Sequence, residues 1–296
     1  MDWLQKMASA MRNLSYQGRF VYIHENQLES MSIIHIKDQS GERERLFSLN
    51  GEAREIIRNN NSLICIWPSS RKVVVDQARQ QNLSPLWVPT DVNRLGKFYD
   101  FKLVGEARIA DHEAVVINIT PMDEFRYGLI IWINNNNGLL LKSVMLDNTG
   151  EVLEQVMFTN LTIVEDVNTM SVNLVPAIDE SYSLVRSHVG GGPGKLAMES
   201  EWKLLQLPIG FWRESAYKRE VERRGKFVEQ MVFTDGLATL SVFIEPVADD
   251  SLQGFSSMGA VNAYSYISDG FAITAIGEVP AITVKQIASS MQRTTK

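Results

Sequence analysis

Histidine, cysteine and neighbouring carboxylates are the side chains through which this chain could catalyse a reaction or hold a metal, and they are sparse. There are four histidines, His24, His35, His112 and His188, and one cysteine, Cys65. His24 and His35 fall in one predicted hairpin and could be cross-strand neighbours. No HxH or HExxH spacing, which would turn two imidazoles onto one ion, accompanies them, so they read as partly exposed strand residues. His112 follows Ala110-Asp111 in a turn, and His188 lies in a glycine-rich stretch. Both are poor supports for a base that must be held within hydrogen-bond reach of its proton. Cys65 sits between Ile64 and Ile66, where apolar burial raises a thiol pKa, so an inert core cysteine is expected. A single cysteine also excludes an internal disulfide and a CxxC pair.

No GxSxG elbow is present. Gly190 to Lys195 has the glycine content of a phosphate loop, but Val189 stands at the first glycine position and Leu196 at the Ser/Thr position, and no strand precedes it. Asp123-Glu124 are adjacent carboxylates in a turn, where solvation is the expectation. The chain is therefore read as a protein that works by contacts, not as an enzyme, with no catalytic residue, metal ligand or cofactor assigned.

The elements that must position these residues suit that reading. The 296 residues are 45% apolar and 22% charged, with a net charge of -6. That is enough for two domains with ordinary cores. The acidic balance gives no general attraction for nucleic acid or anionic membranes. No apolar run is long enough to span a bilayer. No leader pattern precedes the amphipathic Trp3-Leu4-Met7 run, which is also how the mature form of an exported chain looks.

Trp3, Met7, Ala10, Met11 and Leu14 recur at helical spacing over 2–15. The period then changes to two. Strands are expected at 20–24, 31–37, 44–49, 53–58, 62–67 and 71–76, and after a loop and short helix again at 101–109, 113–120, 126–133, 139–146 and 151–164. Asn134 to Gly138 reads as a tight turn. The first domain, 1–177, is expected to be one long antiparallel sheet with helices packed on one face. Residues 178–199, with Gly190-Gly191-Gly192-Pro193-Gly194 at their centre, read as a flexible linker. The second domain, 200–296, carries two hairpins turning at Thr234-Asp235-Gly236 and Ser268-Asp269-Gly270, and a closing helix that starts at Pro280, with Ile282, Ile287, Ala288 and Met291 to pack.

Several first-domain strands are apolar on both faces. Leu129, Ile131 and Ile133 oppose Ile130 and Trp132, and Leu63 and Trp67 oppose Ile64 and Ile66. A half-exposed sheet should alternate. One face can be covered by helices; the other must meet more protein or enclose an apolar cavity. For such a cavity Ile34, Ile36, Ile64, Ile66, Ile130 and Trp132 are the expected lining, with the inward face left open.

An ordered series of segments adds a resemblance to this reading. It comprises Tyr16-Gln17-Gly18-Arg19-Phe20-Val21-Tyr22, Leu28 to Met31 leading to His35, Gly41 through Leu46, Asn50 through Arg58, and Arg126-Tyr127-Gly128-Leu129 to Trp132 with Gly138 to Leu141. In the second domain it includes Asp235 to Thr239, Ser241 to Ile244 and Gly277-Glu278-Val279-Pro280. Taken together these resemble the RseB/MucB family of periplasmic regulators of the extracytoplasmic-stress sigma factor. The turn at Asn134 to Asn137 is less acidic than the family pattern.

The resemblance implies an α+β chain of two domains, an N-terminal LolA/LolB-like open antiparallel half-barrel with helices packed on it and a smaller C-terminal sheet-plus-helix domain. It implies a periplasmic protein that binds the periplasmic domain of a membrane-bound anti-sigma factor, shields it from site-1 proteolysis, and lets go on sensing a lipid or lipopolysaccharide-type ligand. Homo-oligomerisation is left open. Phe211, Trp212, Tyr217, Tyr264 and Tyr266 are the expected partner anchors, because rigid aromatics dominate binding hot spots. The alternative is a periplasmic lipid or lipoprotein carrier, which would need no second domain; truncation at residue 180 would separate the two.

Overall fold

A computed structural model describes residues 2–59, 62–77, 86, 92–166, 178–179, 181–186, 200–221, 226–248 and 251–294. Helix α1 (Asp2–Asn13) buries Leu4, Met7, Ala8, Ala10 and Met11 on one side, as its spacing requires. A meander follows: β1 (Tyr16–His24), β2 (Gln27–Asp38), β3 (Gly41–Ser48), β4 (Glu55–Asn59), β5 (Ser62–Trp67) and β6 (Lys72–Gln77). After the short α2 (Val92–Leu95) come β7 (Tyr99–Ile109), β8 (His112–Pro121), β9 (Gly128–Asn134), β10 (Leu140–Leu146) and β11 (Val152–Ile163). With β12 (Ser183–Arg186) these make one 12-stranded open sheet ordered β12-β6-β5-β4-β3-β2-β1-β11-β10-β9-β8-β7.

The turns are set by residues that tolerate positive φ. Glu25-Asn26 and Ala110-Asp111 take positive φ at both central positions, which gives the twist that a two-residue hairpin needs. The Asn134 side-chain oxygen accepts from the Asn136 and Asn137 amides, and Gly138 at φ +83 closes the expected turn. Lys6 of α1 donates to the Asn135 carbonyl at 2.7 Å, pinning the helix to that turn.

The sheet curls. His112, at the start of β8, hydrogen-bonds through Nε2 to the Leu161 carbonyl on β11, three strands away in the order. Its concave face holds the main core, where α1 meets Phe20, Met31, Ile33, Leu46, Ile131 and Phe158. The open half-barrel expected for the first domain is therefore present.

The second sheet is ordered β14-β15-β16-β19-β18-β17. Its members are β14 (Trp212–Val221), β15 (Lys226–Thr234), β16 (Thr239–Pro246), β17 (Gly254–Met258), β18 (Val261–Ser268) and β19 (Phe271–Gly277). Helix α3 (Ala281–Ser289) packs Val284, Ile287 and Ala288 on its own core, whereas Ile282 points outward and is 40% exposed. A two-stranded ribbon of β13 (Trp202–Leu204) and β20 (Met291–Arg293) joins the domain's ends. Ser268-Asp269-Gly270 turns with positive φ at Asp269 and Gly270.

Four sequence expectations need correction. His24 and His35 are not neighbours: His24 pairs with Gln27 at the turn, and His35 pairs with Tyr16 at the far end of the hairpin. His35 is buried, stacked 4.8 Å from the Tyr16 ring, with Nδ1 donating to the Leu14 carbonyl and Nε2 3.3 Å from Glu42. Cys65 is half-buried rather than enclosed, because β5 lies near one end of the open sheet. Within 178–199, Ser183–Arg186 adds a parallel strand to β6, so these four residues belong to the first sheet. Gly190 to Gly194 and His188 lie outside the described residues.

The sheet's double apolar face also resolves differently from expectation. Among the described residues the second domain does not cover the convex side. Charged side chains drape it instead: Lys142 lies over the Trp132 ring at 4.6 Å, and Arg45, paired with Ile34 across strands, bridges to Glu55. At the sheet's end Ile57, Ile64, Ile66, Val73 and Val75 form a satellite cluster with Tyr182.

Candidate functional site

The two domains are interlocked. Each sends one hairpin or loop into the other, and the residues at the exchange are buried except Phe125, which is half-buried. Leu237, at the tip of the β15–β16 turn, joins the first domain's core. Phe125, in the β8–β9 loop, packs on the second domain's core, and its carbonyl accepts from the Thr283 hydroxyl of α3 at 2.8 Å. Asn262 of β18 donates to the Tyr127 hydroxyl at 2.8 Å.

At the centre lies Arg126, with no exposed surface. Its Nη1 donates to Asp235 Oδ2 at 2.9 Å, its Nε to Asp123 Oδ1 at 3.0 Å and its Nη2 to the Ile209 carbonyl at 2.5 Å. The rings of Phe98, Tyr99 and Phe211 stand 5.0, 5.5 and 5.1 Å from the guanidinium carbon. Asp235 accepts two further bonds from the Leu237 and Ala238 amides and a third from the Tyr99 hydroxyl. Burial raises its pKa from the ordinary carboxylate value, and Arg126 and those donors act against that rise. A buried charge is tolerated when its geometry and hydrogen bonds are complete, as they are here. Asp123, expected to be solvated, is thus committed to Arg126, while Glu124 is exposed.

Beside this knot a cavity of about 530 Å³ separates the concave sheet from the second sheet. Leu129, Ile131, Leu140, Met145 and Val156 give it an apolar wall from the first domain, and Val232, Leu240, Phe243 and Ile276 one from the second. Its volume falls within the range of small-molecule sites. The polar lining combines carboxyls and phenols with the side chains of Ser143, Ser215, Gln230, Thr239 and Ser241. Glu154 accepts a 2.7 Å hydrogen bond from Tyr22 Oη, and burial raises the pKa of both groups. Glu278, which follows β19, stands in the lining and is exposed at the cavity's surface. Burial and the Glu154 charge push its pKa up to about 7. Glu214 on β14 is raised by burial as well.

None of the six residues expected to line a cavity is in the lining of this one. In β9, Leu129 and Ile131 face inward, so Ile130 and Trp132 face out. By the same alternation Ile34 lies outside, on a shallow surface with Gln17, Arg19 and Phe47, and Ile36 shares its face. Ile64 and Ile66 belong to the satellite cluster on the convex side. Of the three strands that carry the expected lining only β9 borders this cavity, and it does so through its other face. The aromatic anchors divide. Phe211 and Trp212 meet the first domain, Phe211 against Arg126 and Trp212 beneath Arg94 at 4.8 Å. Tyr217 lines the cavity. Tyr264 and Tyr266 pack on the second domain's core, and Tyr266 donates to the Met291 carbonyl.

Sequence reasoning missed Glu154 and Arg126. Glu154 had a signal, since it stands in phase with Val156 and Phe158 and so on the buried face of β11. Arg126 had none, because its partner Asp235 is 109 residues away.

Known proteins align with this arrangement over its full length. Residues 1–176 match the family description "MucB/RseB N-terminal domain" and residues 197–292 "MucB/RseB C-terminal domain". The sigma factor AlgU regulatory protein MucB of Pseudomonas aeruginosa is 33% identical over 98% of this chain and 90% of its own length. The sigma-E factor regulatory protein RseB of Escherichia coli K12 is 27% identical over 98% of this chain and 89% of its own. The Pseudomonas aeruginosa MucA/MucB complex superposes with a TM-score of 0.73 at 29% identity, covering 100% of this chain and 99% of that one. MucB in complex with MucA(peri) superposes with a TM-score of 0.71 at 28% identity, with the same coverage.

Proposed function

This chain belongs to the MucB/RseB family, and on that premise we propose that it binds the periplasmic domain of a membrane-bound anti-sigma factor and protects it from site-1 proteolysis. The observation that carries this reading is the match along both domains to MucB solved with MucA. Its place of work is then the periplasm, and its homologues are regulatory binding proteins rather than enzymes.

We further propose that a lipid-type ligand, such as lipopolysaccharide or a mislocalised lipoprotein, signals release by entering the cavity between the domains. Two features support this. The walls are apolar and come from both domains, so an occupant touches both at once. Each methylene buried there contributes about 0.8 kcal/mol, so a short acyl chain needs few polar contacts. A ligand shifts an equilibrium only by its differential affinity for two states. A cavity shared between domains supplies that difference if their separation changes on filling.

The test is a protection assay. The periplasmic segment of the anti-sigma factor from the same genome is incubated with the site-1 protease, with and without this protein and an acyl amphiphile. Protection that the amphiphile removes supports both halves of the reading. Cleavage at an unchanged rate in the presence of the protein overturns the first half. Protection that no amphiphile disturbs overturns the second. Truncation at residue 180 is a poor discriminator from a carrier, because it strips Asp235 and Leu237 from the first domain and removes half of the cavity.

A further inference from the structure

The convex face of the first sheet carries a strip where apolar, aromatic and basic side chains interleave, at the middle of the strand order. Across β9, β10, β11 and β1 one cross-strand row is Trp132, Lys142, Met157 and Val21. The next row, across β1, β2 and β3, is Arg19, Ser32 and Phe47, and beyond it stand Gln17, Ile34 and Arg45. Gln17 and Arg19 are exposed and the rest are half-buried, so all of them reach solvent. Each of the two rings lies under a cation: Lys142 is 4.6 Å from the Trp132 ring and Arg45 is 5.6 Å from the Phe47 ring. Arg45 is bridged to Glu55, but neither Arg19 nor Lys142 has a carboxylate partner among the described residues. Partial burial lowers the Lys142 pKa from the ordinary lysine value, and no acid offsets it. A shallow groove of about 580 Å³ runs through the strip, lined by the side chains of Gln17, Arg19, Ser32, Ile34, Phe47 and Asn160. It sets hydrogen-bond donors beside apolar surface, and none of those six side chains is a carboxylate.

This combination matches the surface of a lipid bilayer. Basic side chains lay their stems along apolar surface and aim their charged heads at phosphates. Tryptophan settles at the level of the headgroups, and aliphatic side chains reach the start of the acyl chains. Anionic headgroups attract each basic residue held near them. The net charge of -6 gives the whole chain no such attraction, but it averages over a strip whose unpaired charges are positive. Shape agrees as well, since a convex sheet meets a plane along its crest and the strip occupies the middle strands. An acidic peptide would answer the cations and leave Val21, Ile34 and Met157 against polar groups, so a bilayer is the better match.

We propose that the convex face docks on a bilayer surface containing anionic phospholipid, with Arg19 and Lys142 on headgroup phosphates and Trp132 and Phe47 among the headgroups. The strip is on the reverse side of the sheet from the cavity, so docking leaves the cavity and its occupant free. On the proposed function, whose partner is membrane-bound, this face adds a second hold on the same membrane.

The experiment floats the full chain with vesicles of phosphatidylcholine alone, or of phosphatidylcholine with about a third phosphatidylglycerol. At low ionic strength the mixed vesicles are expected to carry at least about tenfold more protein, and about 0.5 M salt should remove the difference. Arg19→Glu, at an exposed site that the fold does not need, should lower binding to the mixed vesicles by about fivefold. Adding Lys142→Gln should lower it by about tenfold or more, with the melting temperature of each variant reporting its fold. Ser143→Phe, inside the cavity, should leave vesicle binding unchanged. Equal binding to the two kinds of vesicle overturns the proposal, as does binding that the double variant retains. Binding lost in Ser143→Phe and kept in the double variant overturns it too, and assigns the lipid to the cavity. Polyglutamate that binds where mixed vesicles do not overturns the bilayer and assigns the face to an acidic protein.

Discussion

Arg126 and Asp235 form an ion pair at 2.9 Å with neither side chain exposed, and the pair joins the two domains. It stands beside the cavity, so the same contact that docks the domains also fixes the distance between the cavity's walls.

Removing one member should be costly. Asp235→Ala leaves the Arg126 guanidinium buried beside only Asp123 and a carbonyl, and loss of one partner of a buried pair costs about 3–5 kcal/mol. Urea unfolding should show that loss, together with a split of one transition into two as the domains uncouple. A single unchanged transition would show that other contacts hold the domains.

Gly210 makes room for Phe98 at the same seam. It has φ +94, and a Cβ there would lie 2.7 Å from the Phe98 ring. Gly210→Ala therefore meets both backbone strain and a clash, and should lower stability by about 1–3 kcal/mol. Adding Phe98→Leu should restore the steric part and leave the strain. Thermal denaturation of the two variants measures each share.

Stability should carry a signature of Glu278. Its folded pKa, about 7, lies above the ordinary value of 4.5, so the folded state holds the proton more tightly than the unfolded one. Its contribution is thus fully present below about 4.5, declines as pH rises towards 7 and is flat beyond. Glu278→Gln cannot ionise, so its melting temperature should gain on wild type across that window and then stay ahead by a constant margin. Parallel pH profiles for the two proteins would contradict the assignment.

The concave face, and not the convex one, should control apolar binding. Ser143 of β10 lines the cavity, and Ser143→Phe should fill part of it and weaken amphiphile binding by about tenfold or more. Ile34→Ala, on the convex face, should leave that binding unchanged. Fluorescence titration with an acyl probe reads both, and the reverse ranking would return the site to the outer face.

Much of the architecture was legible in the chain because it is local. The period-two runs gave β1 to β11, Asn134 to Gly138 gave a turn, and the spacing of Met7, Ala10 and Met11 gave the face that α1 buries, with Trp3 read where Leu4 is the enclosed residue. The β14 strand escaped, since Trp212 and Tyr217 stood out as aromatics while their alternation did not. Apolar content on both faces of β9 was equally plain, but not which face turned inward. That depends on the direction in which the whole sheet curls, and curl is a property of many strands together.

By itself, then, the sequence determined most of the first sheet's strands, the helices, the two-domain plan and the resemblance to a family of regulators, since periodicity, turn chemistry and ordered segments are written along the chain. Only the tertiary structure decided that Ile131 rather than Ile130 meets the cavity, that Arg126 reaches Asp235, and that Glu154 and Glu278 line one cavity. The physical reason is distance along the chain: burial, desolvation and charge pairing act between residues that folding alone brings together.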